Sequence, residues 1–183
     1  LAAQDKYAAN TIYLARPCQY TQKWNQRGCP MRFWTGARFA PEVIESYMAA
    51  LDSLRKRHGL SRFHLTGYSG GGGIAALLAA RRNDIAHLRT VAGNLDHARL
   101  NAYHDVTPMP ASLNPVEEAD KLGNVAQIHY SGAADDVVPP MIAKAFIARL
   151  PSETCVHHHV IEAATHHNWA RIWPDLAATR PEC

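Results

Sequence analysis

The segment Gly67-Tyr68-Ser69-Gly70-Gly71 stands between the apolar run Phe63-His64-Leu65-Thr66 and the helix-forming run Ile74-Ala75-Ala76-Leu77-Leu78-Ala79-Ala80. No other feature constrains the chain as much. A strand must turn sharply into a helix while lifting one serine into the open, and such a strained turn tolerates little more than hydrogen at its flanking positions. The pattern is that of a nucleophile elbow, in which the glycines have a steric task and the serine a chemical one. Two other readings compete. Gly70-Gly71-Gly72-Gly73-Ile74-Ala75 also satisfies the loose dinucleotide fingerprint, whose backbone amides cradle a pyrophosphate at a helix start. That fingerprint wants its first glycine directly off the strand and an acid about 20 residues on; here Gly70 follows Gly67 by three residues, and Asp84 and Asp96 fall at poor distances. The plainer alternative is a glycine-rich turn that packs a helix on a sheet.

The rest of the chain alternates strand and helix. Thr11–Ala15 reads as a buried strand ended by Arg16-Pro17, followed by a polar loop to about Arg38. A helix is expected over 41–58, with Pro41 at its first turn, Glu42 and Glu45 near its positive end, and Lys56-Arg57-His58-Gly59 at its close. Strands are expected at 63–66, 88–93, 125–130 and 156–161, and helices at 71–82, 140–150 and 168–179. Residues 94–124 read as an irregular surface excursion with a short helical stretch near 116–121. This order predicts an α/β fold, a mostly parallel sheet with helices on both faces. With 183 residues and 47% hydrophobic content, 1–183 is expected to form one domain.

Composition narrows the partners. The formal net charge is only +3 and basic residues are not interleaved with aromatic ones, so the chain offers no nucleic-acid signature. Its apolar runs are too short for a membrane span, and no leader precedes Thr11 in this chain. The four cysteines, Cys18, Cys29, Cys155 and Cys183, all fall in loops. Cys18 with Cys29 and Cys155 with Cys183 is the favoured pairing of the three possible. It places the protein in an oxidising, extracytoplasmic setting: periplasmic, envelope-associated or secreted. Four reduced thiols in a cytosolic protein are the alternative. Zinc is disfavoured because there is no C-x-x-C pair, and His157-His158-His159 lies in an expected strand, where neighbours point to opposite faces.

A serine hydroxyl needs a histidine to take its proton and a carboxylate to orient that histidine. Both follow in order. Ser131-Gly132-Ala133-Ala134-Asp135-Asp136-Val137-Val138-Pro139 puts an acid at the carboxyl end of a strand, where open α/β sheets build their sites. Asp135 is the preferred acid and Asp136 its neighbour-rival. Glu162-Ala163-Ala164-Thr165-His166-His167 follows the last expected strand, and His166 is the preferred base, with His167 offset by one. The amide of Gly70, next after the serine, is the natural first donor to an oxyanion.

These three segments, spread over nearly the whole chain, resemble the nucleophile, acid and histidine motifs of the α/β-hydrolase superfamily. Arg16-Pro17-Cys18-Gln19-Tyr20 and Ser112-Leu113-Asn114-Pro115 further resemble a group of bacterial cell-envelope α/β-hydrolases. The resemblance implies a serine hydrolase acting on a small-molecule carboxylic ester through an acyl-enzyme on Ser69, with no metal or organic cofactor. It also implies strands upstream of Thr11 and a second oxyanion donor from an early loop. No His-Gly-Gly segment precedes Ser69, so the chain is expected to be the later part of a longer protein. A non-catalytic envelope protein that keeps the scaffold for binding is the alternative from another class, ahead of a dinucleotide-binding domain.

Overall fold

The structure, a computed structural model, describes residues 1–5, 8, 10–18, 29–181 and 183. Its centre is a sheet of four parallel strands, β1 (Phe63–Tyr68), β2 (Ile85–Val91), β3 (Ala126–Gly132) and β4 (Val156–Ile161), in the order β1-β2-β3-β4. Parallel neighbours need crossovers, and each crossover here carries helix. α1 (Pro41–His58) enters β1; α2 (Gly70–Ala79) links β1 to β2; α3 (His97–Tyr103) and a 3-10 helix (Pro115–Leu122) link β2 to β3; α4 (Met141–Ile147) links β3 to β4; α5 (Trp169–Leu176) follows β4.

Strand alternation sorts the side chains between two layers. On one face Phe63, Leu65 and Leu88 meet α2, α4 and the 3-10 helix, and α1 packs behind α2 through Val43, Ile44 and Leu51. On the other, Val91, Ile128 and Tyr130 meet Trp169 and Trp173 of α5. Helix α1 keeps the bounds its residues predict and stops at Gly59, whose φ of +63° is the left-handed conformation glycine adopts without strain. Asp84, poorly spaced for a ribose contact, forms a two-point ion pair with Arg82 at 2.6 and 2.7 Å, and Arg82 reaches on to Asp52 of α1 at 2.8 Å.

Two expectations fail. Thr11–Ala15 is not a strand, and Ile12 and Tyr13 are 49% and 65% exposed. Apolar composition confers strand propensity, but a strand exists only where a neighbour completes its ladder. This segment is held instead at its flanks. Asp5 pairs with Arg89 on the α5 face at 2.9 Å, whereas Leu14 and Cys18 pack on the α1/α2 cluster. Residues 94–124 are likewise no mere surface excursion: Leu95, Leu100, Met109 and Asn114 are buried. The Asp96 carboxylate caps α3 by accepting from Arg99 N–H at 3.1 Å and from the Asn114 amide at 3.0 Å, and Asn114 accepts in turn from His97 N–H. Two turns of helix held by side-chain bonds leave no periodic apolar signature in the sequence.

Beneath the carboxyl ends of β2 and β3 runs a buried polar ladder. The Thr90 hydroxyl donates to His129 Nδ1 at 2.7 Å, and His129 Nε2–H donates to Gln127 Oε1 at 3.2 Å. Both ring nitrogens are thus committed to the neutral imidazole. Burial, with a smaller contribution from His158, pushes the His129 pKa down to about 3. Burial also lowers His64, His87, His97 and His158. The unfolded chain takes up protons below its ordinary histidine pKa and the folded chain does not, so stability is full above that value and declines as pH falls from 6.5 toward 3. Denaturant midpoints measured across that window should fall steadily, and His129→Gln should flatten part of the decline. An unchanged slope in the variant would remove His129 as a main contributor.

Candidate active site

At the end of β1 the chain turns into α2 through Ser69, whose φ of +53° and ψ of −123° lie where non-glycine residues are rarely found. Three backbone bonds hold this strained residue. Its N–H donates to Val91 O at 2.9 Å, and its carbonyl accepts from Gly72 N–H at 2.9 Å and Asn94 N–H at 3.0 Å. The turn is tight enough that a Cβ on Gly67 would run into the backbone of Gly71. Gly71 itself departs from expectation, because a Cβ there would meet nothing within 4 Å. The crowding falls instead on Gly72 and Gly73, where a Cβ would sit 2.7 Å from Gly93 Cα and 2.5 Å from the Asn94 carbonyl oxygen as α2 crosses the end of β2.

Ser69, His166 and Asp135 come together although 97 and 31 residues separate the successive partners. The Ser69 hydroxyl donates to His166 Nε2 at 3.1 Å, and His166 Nδ1–H donates to Asp135 Oδ2 at 3.0 Å. Asp135 is fully buried at its side chain and its Oδ1 accepts from Val137 and Val138 N–H at 3.0 and 2.8 Å. These bonds orient the carboxylate toward the imidazole. Asp136 and His167 are exposed, and neither enters the chain of bonds among those described. Gly70 opens α2, so its amide lies at the positive end of the helix beside the serine.

The acid and histidine loops are zipped together from below. Ala133 N–H donates to Ile161 O and Ala134 N–H to Ala164 O. Gly132 is what allows this, since a Cβ there would collide with the Ala164 carbonyl. Asn168 closes the histidine loop by accepting from Thr165 N–H at 3.0 Å and donating to Ala163 O at 2.8 Å. Tyr68 adds a tie that the sequence reading missed: its hydroxyl donates to the His166 carbonyl at 2.6 Å, and its ring lies 5.2 Å from the imidazole. Burial, and then the charge on Asp135, raise the Tyr68 pKa, which keeps the phenol protonated as a donor. Only its place between Gly67 and the serine hinted at this role. A cleft of about 220 Å³ opens here, lined by Leu1, Tyr68, His166, His167, Trp169 and Ala170.

Disulfides join Cys18 to Cys29 and Cys155 to Cys183. In β4 the alternation separates the three histidines: His157 and His159 stack on one side while His158 bonds Ser131 from the other at 3.0 Å. Among the described residues Cys155, His157 and Cys183 bring possible metal-binding atoms within 4.8 Å, but the two sulfurs are bonded to each other and offer no thiolate. No helix among the described residues is long and apolar enough to cross a membrane.

No family model matches the chain, and no curated protein matches it by sequence. Its fold nevertheless is that of the α/β hydrolases. It is similar to an α/β-hydrolase enzyme from the metagenome of sediments of the Mar Chica lagoon, Morocco, with a TM-score of 0.56 and 19% identity over 73% of this chain and 65% of that one. The Paleococcus ferrophilus monoacylglycerol lipase superposes with a TM-score of 0.54 and 15% identity, over 73% and 72% of the two chains. The acylaminoacyl peptidase of Pyrococcus horikoshii gives a TM-score of 0.64 and 13% identity over 75% of this chain but only 26% of its own length. The chain therefore spans less than two thirds of the first and third of these.

The crowding at the turn separates two glycine substitutions. Gly67→Ala should cost ~1–3 kcal/mol or more in denaturant unfolding, because backbone has to move. Gly71→Ala, facing open space within a helix, should be neutral or stabilising by up to ~1 kcal/mol. Equal losses in the two variants would contradict the geometry.

Proposed function

We propose that this chain is a serine hydrolase that cleaves a carboxylic ester, with Ser69 as nucleophile, His166 as general base and then acid, and Asp135 as the orienting carboxylate. The observation that carries the reading is the unbroken chain of hydrogen bonds from a strained, positive-φ serine through His166 to a buried aspartate. The hydrolase fold supports it. A serine held off its preferred backbone geometry and bonded to an oriented imidazole is a costly arrangement for a surface that only binds.

In the first half of the reaction, Ser69 Oγ attacks the ester carbonyl carbon as its proton passes to His166 Nε2. The carbonyl π electrons move onto oxygen, and Gly70 N–H donates to that oxyanion. Collapse re-forms the carbonyl, breaks the bond to the alkoxy group and sends the His166 proton to the departing oxygen. The product is an alcohol and an acyl group on Ser69. Water then repeats the sequence: its proton goes to His166, its oxygen bonds the acyl carbon, and the same proton returns to Ser69 as the carboxylic acid leaves. Asp135 stays ionised throughout, stabilising the imidazolium that forms twice.

The two disulfides support action in an oxidising, extracytoplasmic compartment. The competing dinucleotide reading gains nothing from the geometry, since Asp84 is engaged with Arg82 and Asp96 caps α3.

A fluorophosphonate probe should label the protein at Ser69 and fail to label Ser69→Ala; an unlabelled but folded wild-type protein would sink the assignment. Asp135→Asn should lower kcat by roughly 10⁴-fold without unfolding the chain, because the amide oxygen can still accept from Val137 and Val138 while its NH₂ opposes His166 Nδ1–H. Ester turnover should also fall on acidification, as a protonated His166 can no longer accept from the serine; turnover that persists undiminished with His166 replaced by alanine would contradict the role given to it.

A further inference from the structure

We propose that His64 and His87 form a two-point binding site for a copper(II) ion on the face that β1 and β2 turn away from α2. A bulge sets up the pair. Phe63 stands opposite Ile85 but His64 stands opposite His87, so β2 skips Ala86, and the skip brings the second imidazole beside the first. Their Nδ1 atoms lie 3.0 Å apart, with the ring planes at 70° and the centroids separated by 4.6 Å. Two imidazoles that pointed these nitrogens straight at each other would stand farther apart than that, so the two lone-pair directions meet at an angle. His64 is exposed and His87 half-buried, which leaves the pair open to solvent.

The spacing of the nitrogens selects the ion. A metal bonded to both at about 2.1 Å, the length zinc takes to imidazole, would see them at an angle of roughly 90°. That is the cis angle of a tetragonal ion and is narrower than the roughly 109° of tetrahedral zinc. Imidazole ligands in tetragonal geometry suit copper(II) and nickel(II), and copper(II) is the tighter binder of the two. Burial comes first among the causes that lower the pKa of each ring, with Arg180 and Arg89 adding to it on both and His64 adding to it on His87. Two neutral rings share one proton between these nitrogens, one Nδ1–H donating to the other Nδ1. When the ion binds, that proton moves to Nε2 of its own ring, both Nδ1 lone pairs go to the metal, and no proton is released.

The positive neighbours are tied down. Arg89 donates from Nε to the Thr66 hydroxyl at 3.2 Å, from Nη1 to Ala177 O at 2.6 Å and from Nη2 to Asp5 at 2.9 Å, and Asp5 balances its charge. Arg180 donates to Ala177 O at 3.3 Å. Its charge opposes a cation and weakens the site, but it takes neither ligand away. His64 precedes Ser69 by five residues, which is about 16 Å along an extended strand. The ion is therefore no participant in ester chemistry at the serine, and its binding does not rest on the hydrolase reading.

Copper(II) chloride titrated into the full chain at neutral pH, followed by calorimetry and by electron paramagnetic resonance, tests the site. The first equivalent should bind ahead of the rest and show hyperfine coupling to two imidazole nitrogens. His64→Gln and His87→Gln should each weaken that equivalent by at least about 10-fold, the loss that removal of even an outer-shell partner can cause, and should leave a single coupled imidazole. His58→Gln, at the end of α1, should change neither quantity. A first equivalent with wild-type affinity and spectrum in His64→Gln would overturn the proposal, as would wild-type binding no tighter than that of the double variant. Circular dichroism checks the fold of each variant, and if His87→Gln does not fold, His64→Gln at its exposed position decides alone. Zinc chloride that bound as tightly as copper would overturn the choice of ion.

Discussion

The left-handed backbone of Ser69 is the constraint around which the rest of the structure is arranged. A non-glycine residue at φ +53° costs on the order of 1–3 kcal/mol and persists only when its surroundings over-determine it. Here the surroundings are the ends of two strands. Val91 of β2 accepts the serine amide, Asn94 beyond β2 and Gly72 of α2 both donate to its carbonyl, and Gly67 and Gly72 let the backbones approach. Ala92 at the end of β2 is itself at φ +47°, so the strand that braces the serine also bends out of ordinary geometry. Beneath it, Thr90 packs against the sites of Gly72 and Gly93 and spends its hydroxyl on His129. The floor of the turn is thus a satisfied polar ladder.

The parallel sheet does the remaining alignment. Because all four strands run the same way, the loops after β1, β3 and β4 emerge on one edge, and residues far apart in sequence meet without any long-range search by individual side chains. What fixes the last ångström is local. Gly132 lets the two outer loops touch, Asn168 folds the histidine loop on itself, and Tyr68 ties that loop back to the residue next to the serine. Each of these residues acts on the position of the imidazole.

The parts of this arrangement that depend on neighbouring residues were legible in the sequence. Helix α1 announces itself through Pro41, a periodic apolar face and Gly59, and the strand-to-helix turn at Ser69 through its glycines. Asp135 and His166 were legible because each sits just after a strand. What escaped depends on contacts across the chain. Thr11–Ala15 has the composition of a strand but no partner, α3 is held by Asp96 and Asn114 rather than by an apolar face, and Tyr68 meets His166 through a hydroxyl whose target is 98 residues away. Gly71 shows the same limit from the other side: a motif position whose steric need passes to its neighbour Gly72 once α2 is laid across β2.

The bond between Cys155 and Cys183 closes a ring of chain spanning 28 residues that contains β4, the loop of His166 and all of α5. In chain-entropy terms such a closure is worth roughly 3–4 kcal/mol, but its local effect is more specific. A helix ordinarily frays from an end that nothing holds and takes its contacts with it. Here the segment beyond α5 is sewn through Cys183 to the foot of β4, at the opposite pole of the sheet from the imidazole. Trp169 and Trp173, packed against Val91, Ile128 and Tyr130, sit inside this ring, so the disulfide limits how far α5 can separate from the sheet. Reduction of a single bond distant from the serine would therefore open the ring that bears His166, and make the histidine's position answer to the redox state of its surroundings.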